Sequence, residues 1–267
     1  MSDRVRITIA DHGVADVALT RGDKMNALDP AMFSGILAAL EQLKATPGLR
    51  AVVLHGEGRA FCAGLDRAGF AALGNGAPTS NLGPRTHGIA NGPQQIALGW
   101  RTLAVPVIAA VQGAAFGGGL QLALGADIRL LGPDAQMSVM EIKWGLVPDM
   151  AGMVLMKGLL RDDVLRELCF SGRVLGAAEA VQIGLGTRLC ADPLAEAHAL
   201  ALAIAQRSPS AVRAAKRLLN QAAQTLDGVA AALLQAESDE QVALMAGADQ
   251  REAVRANLEK RLPRFGD

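Results

Sequence analysis

An α/β fold is the architecture that this 267-residue sequence predicts, on three observations. Short apolar, β-branched runs alternate with helical pattern from Val5 to about Leu189. A glycine-rich turn, Gly113 to Gly119, joins the apolar run Val107–Val111 to an Ala/Leu-rich helical segment. Strand pattern then stops, and residues 194–267 read as helices alone.

The first strands are predicted at Val5–Ile9, Val14–Leu19 and Ala51–Leu54. Between the second and third, Ala31–Lys44 repeats its apolar positions at three and four residues. Asp29 supplies an N-cap, Pro30 opens the first turn, and Pro47-Gly48 stops the helix. Val107–Val111 and Asp127–Leu131 are the next strands, separated by the glycine turn and a short helix. Ala71–Gly92 holds many Gly, Pro, Ser and Asn residues and reads as a mobile loop beside the site. The last quarter gives helices at Leu194–Arg207, Ala211–Leu226, Val229–Met245 and Arg251–Arg261, broken at Ser208-Pro209-Ser210 and Gly247. The chain thus divides into a core, residues 1–193, and a helical region, residues 194–267, whose Ala-rich faces suit packing within the chain or against another subunit.

At 51% hydrophobic and 19% charged residues, the chain has apolar surface enough for one large core. Lys+Arg 26 against Asp+Glu 26 gives a formal net charge of zero, which removes the global attraction that nucleic acid or an anionic membrane requires. No segment reaches the roughly 20 apolar residues of a spanning helix, and no basic-then-apolar leader opens the sequence. A cytoplasmic protein is expected, with neither nucleic acid nor membrane as partner. Cys62, Cys169 and Cys190 are odd in number, widely spaced and without a C-x-x-C pair, which supports neither a disulfide framework nor a zinc site. His12, His55, His87 and His198 lack metal-ligand spacing, and no metal is expected.

Two loops follow strand-like runs: Gly56 to Asp66, and Gly113 to Gly119. Consecutive glycines weaken a helix, and their use is to let backbone approach a ligand closely, with free N–H groups at the helix start. Two such loops can aim two donors at one anionic oxygen, although glycine turns also serve packing alone. Neither loop fits G-x-G-x-x-G or G-K-[ST], which argues against a dinucleotide or triphosphate cradle. No histidine is placed to activate Cys62, which reads as a small buried residue, and Asp66 reads as a loop-ordering or surface carboxylate.

Three segments in order, Phe61-Cys62-Ala63-Gly64-Leu65-Asp66, Gly113 to Gly119, and Glu141-Ile142-Lys143-Trp144-Gly145-Leu146-Val147-Pro148-Asp149, resemble the signature of the enoyl-CoA hydratase/isomerase (crotonase) superfamily. Asn26-Ala27-Leu28-Asp29, Ser171-Gly172-Arg173 with Ala178-Glu179-Ala180, and Ser208-Pro209 with Ala214 to Leu219 extend the likeness over essentially the whole chain. The resemblance implies a crotonase-like spiral of ββα units and a C-terminal helical trimerisation region, giving a homotrimer or a dimer of trimers. It implies acyl-CoA thioesters as substrates, with coenzyme A entering as part of the substrate and no other cofactor. It places the Leu65 and Gly118 N–H groups as an oxyanion hole for the thioester carbonyl. Each such donor is typically worth about 3–4 kcal/mol in the transition state.

In the hydratases of this family two glutamates manage the water, at the positions of Gln121 and Glu141. Only Glu141 is an acid here; an amide at 121 holds a hydrogen bond but exchanges no proton near neutrality. Single-glutamate isomerases of the family work with the counterpart of Glu141. Dienoyl-CoA isomerases add an aspartate at the spacing of Asp149, together with an acid where Gln121 stands. Asp149 could instead cap a helix expected from Met150. For CoA, the resemblance points to Lys24, Met25, Ala63 and Leu65, and to Lys260, whose counterpart in some members reaches CoA in a neighbouring subunit. The aromatic residue expected three positions before Lys260 is Asn257 here. The favoured reading is double-bond isomerisation of an enoyl- or dienoyl-CoA with Glu141 as acid/base. Beside it stand an enoyl-CoA hydratase in which Gln121 orients water, and a non-catalytic acyl-CoA-binding protein.

Overall fold

The computed structural model describes residues 3–66, 82–223, 227–245 and 247–263. Its strands are β1 (Val5–Ile9), β2 (Val14–Leu19), β3 (Ala51–Gly56), β4 (Val107–Val111), β5 (Ala114–Phe116), β6 (Ile128–Leu131), β7 (Gln136–Ser138), β8 (Leu175–Gly176) and β9 (Arg188–Leu189). The larger sheet runs β1-β2-β3-β4-β6-β9, and the smaller runs β5-β7-β8. β1 is antiparallel to β2, and the rest of the larger sheet is parallel, with Val17 opposite Leu54, Val53 opposite Ile108 and Ala110 opposite Leu130. A parallel sheet covered on both faces needs apolar residues on both, and β3 and β4 are buried along their whole length.

The helices are α1 (Pro30–Ala45), α2 (Gly92–Thr102), α3 (Gly118–Leu124), α4 (Gly152–Met156), α5 (Asp162–Ser171), α6 (Ala177–Gln182), α7 (Pro193–Ala205), α8 (Pro209–Ala223), α9 (Asp227–Leu244) and α10 (Ala248–Glu259). Asp29 caps α1 as its side chain predicts, accepting from Met32 N at 2.8 Å. Asn91 and Gln94 close a capping box at α2. The loop expected over Ala71–Gly92 lies outside the described residues up to residue 81. Its last part is ordered, with His87 and Ala90 paired as a bridge before the Asn91 cap.

One difference from the sequence reading matters for the site. The glycine turn does not lead straight from β4 into α3; the three-residue strand β5 intervenes and pairs with β7. A run this short shows no alternation, so only its partner reveals it as a strand. β4 thus steps into β5 and β6 into β7, while after β3 the chain pairs Cys62 with Ala115. These repeated steps from one layer to the next wind the chain into a spiral.

On one face of the larger sheet, α1 and α2 bury Ile36, Leu40, Ile96 and Trp100. On the other, Ala197, Ala201 and Ala205 of α7 lie on Val53, Ile108, Ala110 and Leu130. α9 then packs on α4, and α10 packs on the 3₁₀ turn Glu141–Trp144, so C-terminal helices cover loops of the same chain. α8 is tied down by Lys216, which is buried and donates to Asp127 Oδ2 at 2.7 Å, Val105 O at 2.8 Å and Trp100 O at 3.2 Å. Among the described residues no helix is long and apolar enough to cross a membrane.

Removing one partner of a buried ion pair leaves the other charge uncompensated. Lys216→Met is therefore expected to cost about 3 kcal/mol of stability, measured as a lowered urea midpoint at unchanged slope.

Candidate functional site

Cys62 pairs in parallel with Ala115, and Ala115 in turn stands opposite Met137. Leu65 lies three residues beyond Cys62, and Gly118 three beyond Ala115, so the two occupy matching places in adjacent turns of the spiral. Gly64 (φ +85°) and Gly117 (φ +51°) turn the chain there in the left-handed region that glycine adopts without strain. A Cβ on Gly64 would stand 2.6 Å from Phe116 O and 3.6 Å from Gly118 N, which is the measure of how closely the two loops approach. The flanking amides are paired, Asp66 N with Leu28 O at 3.0 Å and Gly117 N with Ser138 O at 2.9 Å. The Leu65 and Gly118 amides, on half-buried residues, have no partner among the described residues.

The first loop is held from below. Buried Asn26 accepts from Arg21 N at 2.9 Å and donates to Glu57 O at 3.0 Å and Ala60 O at 2.9 Å. Arg21 Nη1 binds Asp66 Oδ2 at 2.6 Å, which makes Asp66 a loop-ordering carboxylate. Cys62 Sγ donates to Asn26 O at 3.1 Å, and burial pushes the thiol up to about 12, so it is no nucleophile at neutral pH.

Glu141 opens the 3₁₀ turn and is buried with its carboxyl over Gly117, where a Cβ would come within 3.2 Å of Oε1. Oε1 accepts from Gln121 Nε2 at 2.6 Å, and Oε2 is buried without a hydrogen-bond partner. Burial pushes the Glu141 pKa up to about 7, against the pull of neighbouring backbone amides and Gln121, and the charge of Asp149 adds to the rise. The other end of Gln121 is filled: Oε1 accepts from Met150 N and Gly152 N, each at 2.9 Å. With both lone pairs used, Gln121 can only present its NH₂ group to Glu141.

Asp149 stands eight residues beyond Glu141, and burial pushes its pKa up to about 7 while its own backbone amide and the Gln241 side chain pull downward. It does not cap a helix. α4 starts later, with Ala151 at the N-cap and no side-chain cap. The amides there go to two other residues, Gly152 to Gln121, and Ala151 and Met153 to Glu237, both at 3.0 Å. Glu237, on α9, also accepts from Gln94 Nε2 at 3.3 Å. Its pKa is pushed up to about 8 by burial, with Asp149 adding to the rise. Sequence reasoning missed Glu237 and Gln241. The available signal was position: Glu237 follows buried Leu234 by three residues and precedes Gln241 by four, an acid on the apolar stripe of a helix.

Of the residues expected at CoA, four come together. Ala63 N donates to Met25 O at 2.9 Å, Leu65 is two residues on, and Lys24 is exposed at the end of the 3₁₀ turn Gly22–Lys24. Lys260 stands apart as the exposed C-cap of α10, where Asn257 Nδ2 reaches Lys143 O at 2.5 Å. No side-chain hydrogen bond or ion pair joins Lys260 to either group among the described residues.

Over residues 10–267 the chain matches the enoyl-CoA hydratase/isomerase family. It is 31% identical over 244 residues to a Bacillus subtilis protein named "Probable enoyl-CoA hydratase", covering 90% of each chain. Among solved structures, an enoyl-CoA hydratase/isomerase from Mycobacterium paratuberculosis superposes with TM-score 0.83 at 28% identity, covering 96% of this chain and 98% of the other. A carnitinyl-CoA hydratase from Mycobacterium avium gives TM-score 0.83 at 29% identity, covering 99% of both.

Glu141, Asp149 and Glu237 share one sign: each pKa is raised in the folded protein, which therefore holds protons that the unfolded chain releases. Their contribution to stability is full below about pH 4 and is lost as pH rises through about 7 to 8. The urea midpoint should fall between pH 5 and pH 8.5, and the fall should be smaller in Glu237→Gln.

Proposed function

Because this chain belongs to the enoyl-CoA hydratase/isomerase family, we propose that it shifts a double bond in an enoyl- or dienoyl-CoA, a dienoyl thioester being the better fit. The observation that carries the reading is the state of Gln121. Its carbonyl is saturated by Met150 and Gly152, and its NH₂ faces Glu141, so it neither accepts a hydrogen from water nor transfers a proton. With Asp66, beside Leu65, held by Arg21, the acids left to exchange protons are Glu141 and Asp149, close enough for the charge of Asp149 to raise the Glu141 pKa.

In this reading the thioester carbonyl accepts from the Leu65 and Gly118 amides. One carboxylate removes a proton from the carbon beside the thioester, and the electrons of that C–H bond form an enolate whose charge rests on the thioester oxygen. Donors fixed in advance stabilise that charge without reorganisation. The second carboxyl, protonated, returns a proton at the far end of the conjugated chain as the electrons move back. Bond order is redistributed, and no water enters the product. Two coupled acids near pH 7 hold one proton between them over the neutral range, which is the charge state this exchange needs. The chemistry uses protons and backbone dipoles alone, with CoA carried by the substrate against Lys24, Met25, Ala63 and Leu65. Assembly as a homotrimer or a dimer of trimers would give Lys260 a neighbour's CoA to meet.

Incubation in deuterated water with 3,5-dienoyl-, 3-enoyl- and 2-enoyl-CoA, with products read by mass, tests the reaction. A shifted double bond with no added water is expected. Addition of one water to 2-enoyl-CoA would make the enzyme a hydratase, and no change with any substrate would leave a binding protein. Glu141→Gln should lower turnover about 10²–10⁴-fold with acyl-CoA binding retained. Asp149→Asn should lose a comparable factor on the dienoyl substrate. Turnover like that of the wild type in Glu141→Gln would overturn the assignment.

A further inference from the structure

We infer that Glu237 is a positioning residue for the reaction: from α9 it holds the start of α4, and through that segment it sets the place of Asp149 and of the Met150 side chain at the Gly118 donor. The inference rests on the role proposed above for Asp149. Four successive amides, Met150 to Met153, are divided in alternation between two side chains. Gln121 Oε1, from α3, accepts from Met150 N and Gly152 N, each at 2.9 Å. Glu237 is buried, and its Oε2 accepts from Ala151 N and its Oε1 from Met153 N, each at 3.0 Å. Amides at the start of a helix have no partner within it, so these two side chains decide where the segment lies. Its backbone is not one that local preference supplies. Ala151 has φ +66°, in the left-handed region, where a residue with a Cβ is strained and stays only if its surroundings hold it.

What the segment carries bears on the chemistry. Asp149 immediately precedes it. Within it, Met150 Sδ lies 2.8 Å from the place of a Cβ on Gly118, with Leu28 Cδ1 at 2.9 Å, so a shift of the segment is felt at the Gly118 donor. Glu237 can act this way because its own place is fixed. Gln94 Oε1 accepts from Asn91 N at 3.0 Å and Arg85 Nη1 at 2.9 Å, which turns the Gln94 NH₂ group to Leu234 O at 2.7 Å and Glu237 Oε2 at 3.3 Å. Three N–H donors thus meet the two oxygens of Glu237. An amide in its place would turn its own NH₂ toward one of them.

Glu237→Met removes both acceptors at similar length, and Glu237→Gln keeps one. Amide exchange read by NMR should quicken at Ala151 and Met153 by at least about tenfold in Glu237→Met. On 3,5-dienoyl-CoA, kcat per folded molecule should fall about 10- to 100-fold with KM within about threefold, since the residues expected at CoA are untouched, and Glu237→Gln should recover part of the loss. A carboxyl that only ties α9 to α4 would lower the urea midpoint and leave kcat per folded molecule as in wild type. That result, or unchanged exchange at both amides, overturns the inference. Should Glu237→Met fold poorly, Glu237→Gln is read the same way, with an expected kcat loss of about 3- to 10-fold. A wild type that hydrates 2-enoyl-CoA and leaves the dienoyl thioester unchanged removes the isomerase reading alone, and the same kcat comparison on 2-enoyl-CoA then decides the positioning. A wild type inactive on every substrate overturns both.

Discussion

Parallel pairing of Cys62 with Ala115, and of Ala115 with Met137, is the constraint on which the site depends. It sets Leu65 beside Gly118 and brings the chain after β7 to Glu141 just where the carboxyl lies over Gly117. A slip of one residue in either pairing would turn alternate side chains to the opposite face and separate the two amides. Gly64 and Gly117 are the local condition for that register, because a side chain on Gly64 would meet Phe116 O before the strands could close. Arg21, Asn26 and Asp66 then fix the outer loop by hydrogen bonds to its backbone and an ion pair. The chemistry thus stands on backbone geometry first and on side chains second.

The acids are treated in a consistent way. Two buried carboxyls each meet one glutamine, Glu141 meeting Gln121 and Glu237 meeting Gln94, while the Gln241 side chain pulls the pKa of half-buried Asp149 downward. An arginine or lysine in those places would drive a carboxyl well below neutrality and leave it permanently ionised. An amide gives direction without charge. Burial then dominates, and the acids titrate near the pH at which they would exchange protons.

Five strands of the larger sheet were legible because they are short runs rich in apolar and β-branched residues; β1, β2 and β4 have the limits their sequences suggest, whereas two-residue β9 carries no such signal. α1 likewise starts at Pro30 after its Asp29 cap. The smaller sheet was not, since β7 and β8 are three and two residues long and owe their extended form to partners distant in sequence. In the candidate site, Glu141, Gln121 and the two glycine loops stood out by residue type and order. Glu237 and Gln241 did not, because an acid and an amide on an amphipathic helix declare nothing until α4 is packed against them. The capping role open to Asp149 failed for the same reason: the helix began two residues later than its local sequence indicated, and its free amides went to groups from α3 and α9.

The filled carbonyl of Gln121 also bears on how such a site can diverge. A glutamate in its place would keep the two amide donors from Met150 and Gly152, which hold a carboxylate ionised, while its second oxygen would face Glu141 across the 2.6 Å now spanned by an N–H bond. Two negative oxygens cannot share that gap unless a proton lies between them or the loop that carries Met150 withdraws. A glutamate at position 121 would therefore either share one proton with Glu141, whose pKa is already pushed up to about 7, or need the loop from Val147 to Met153 to move.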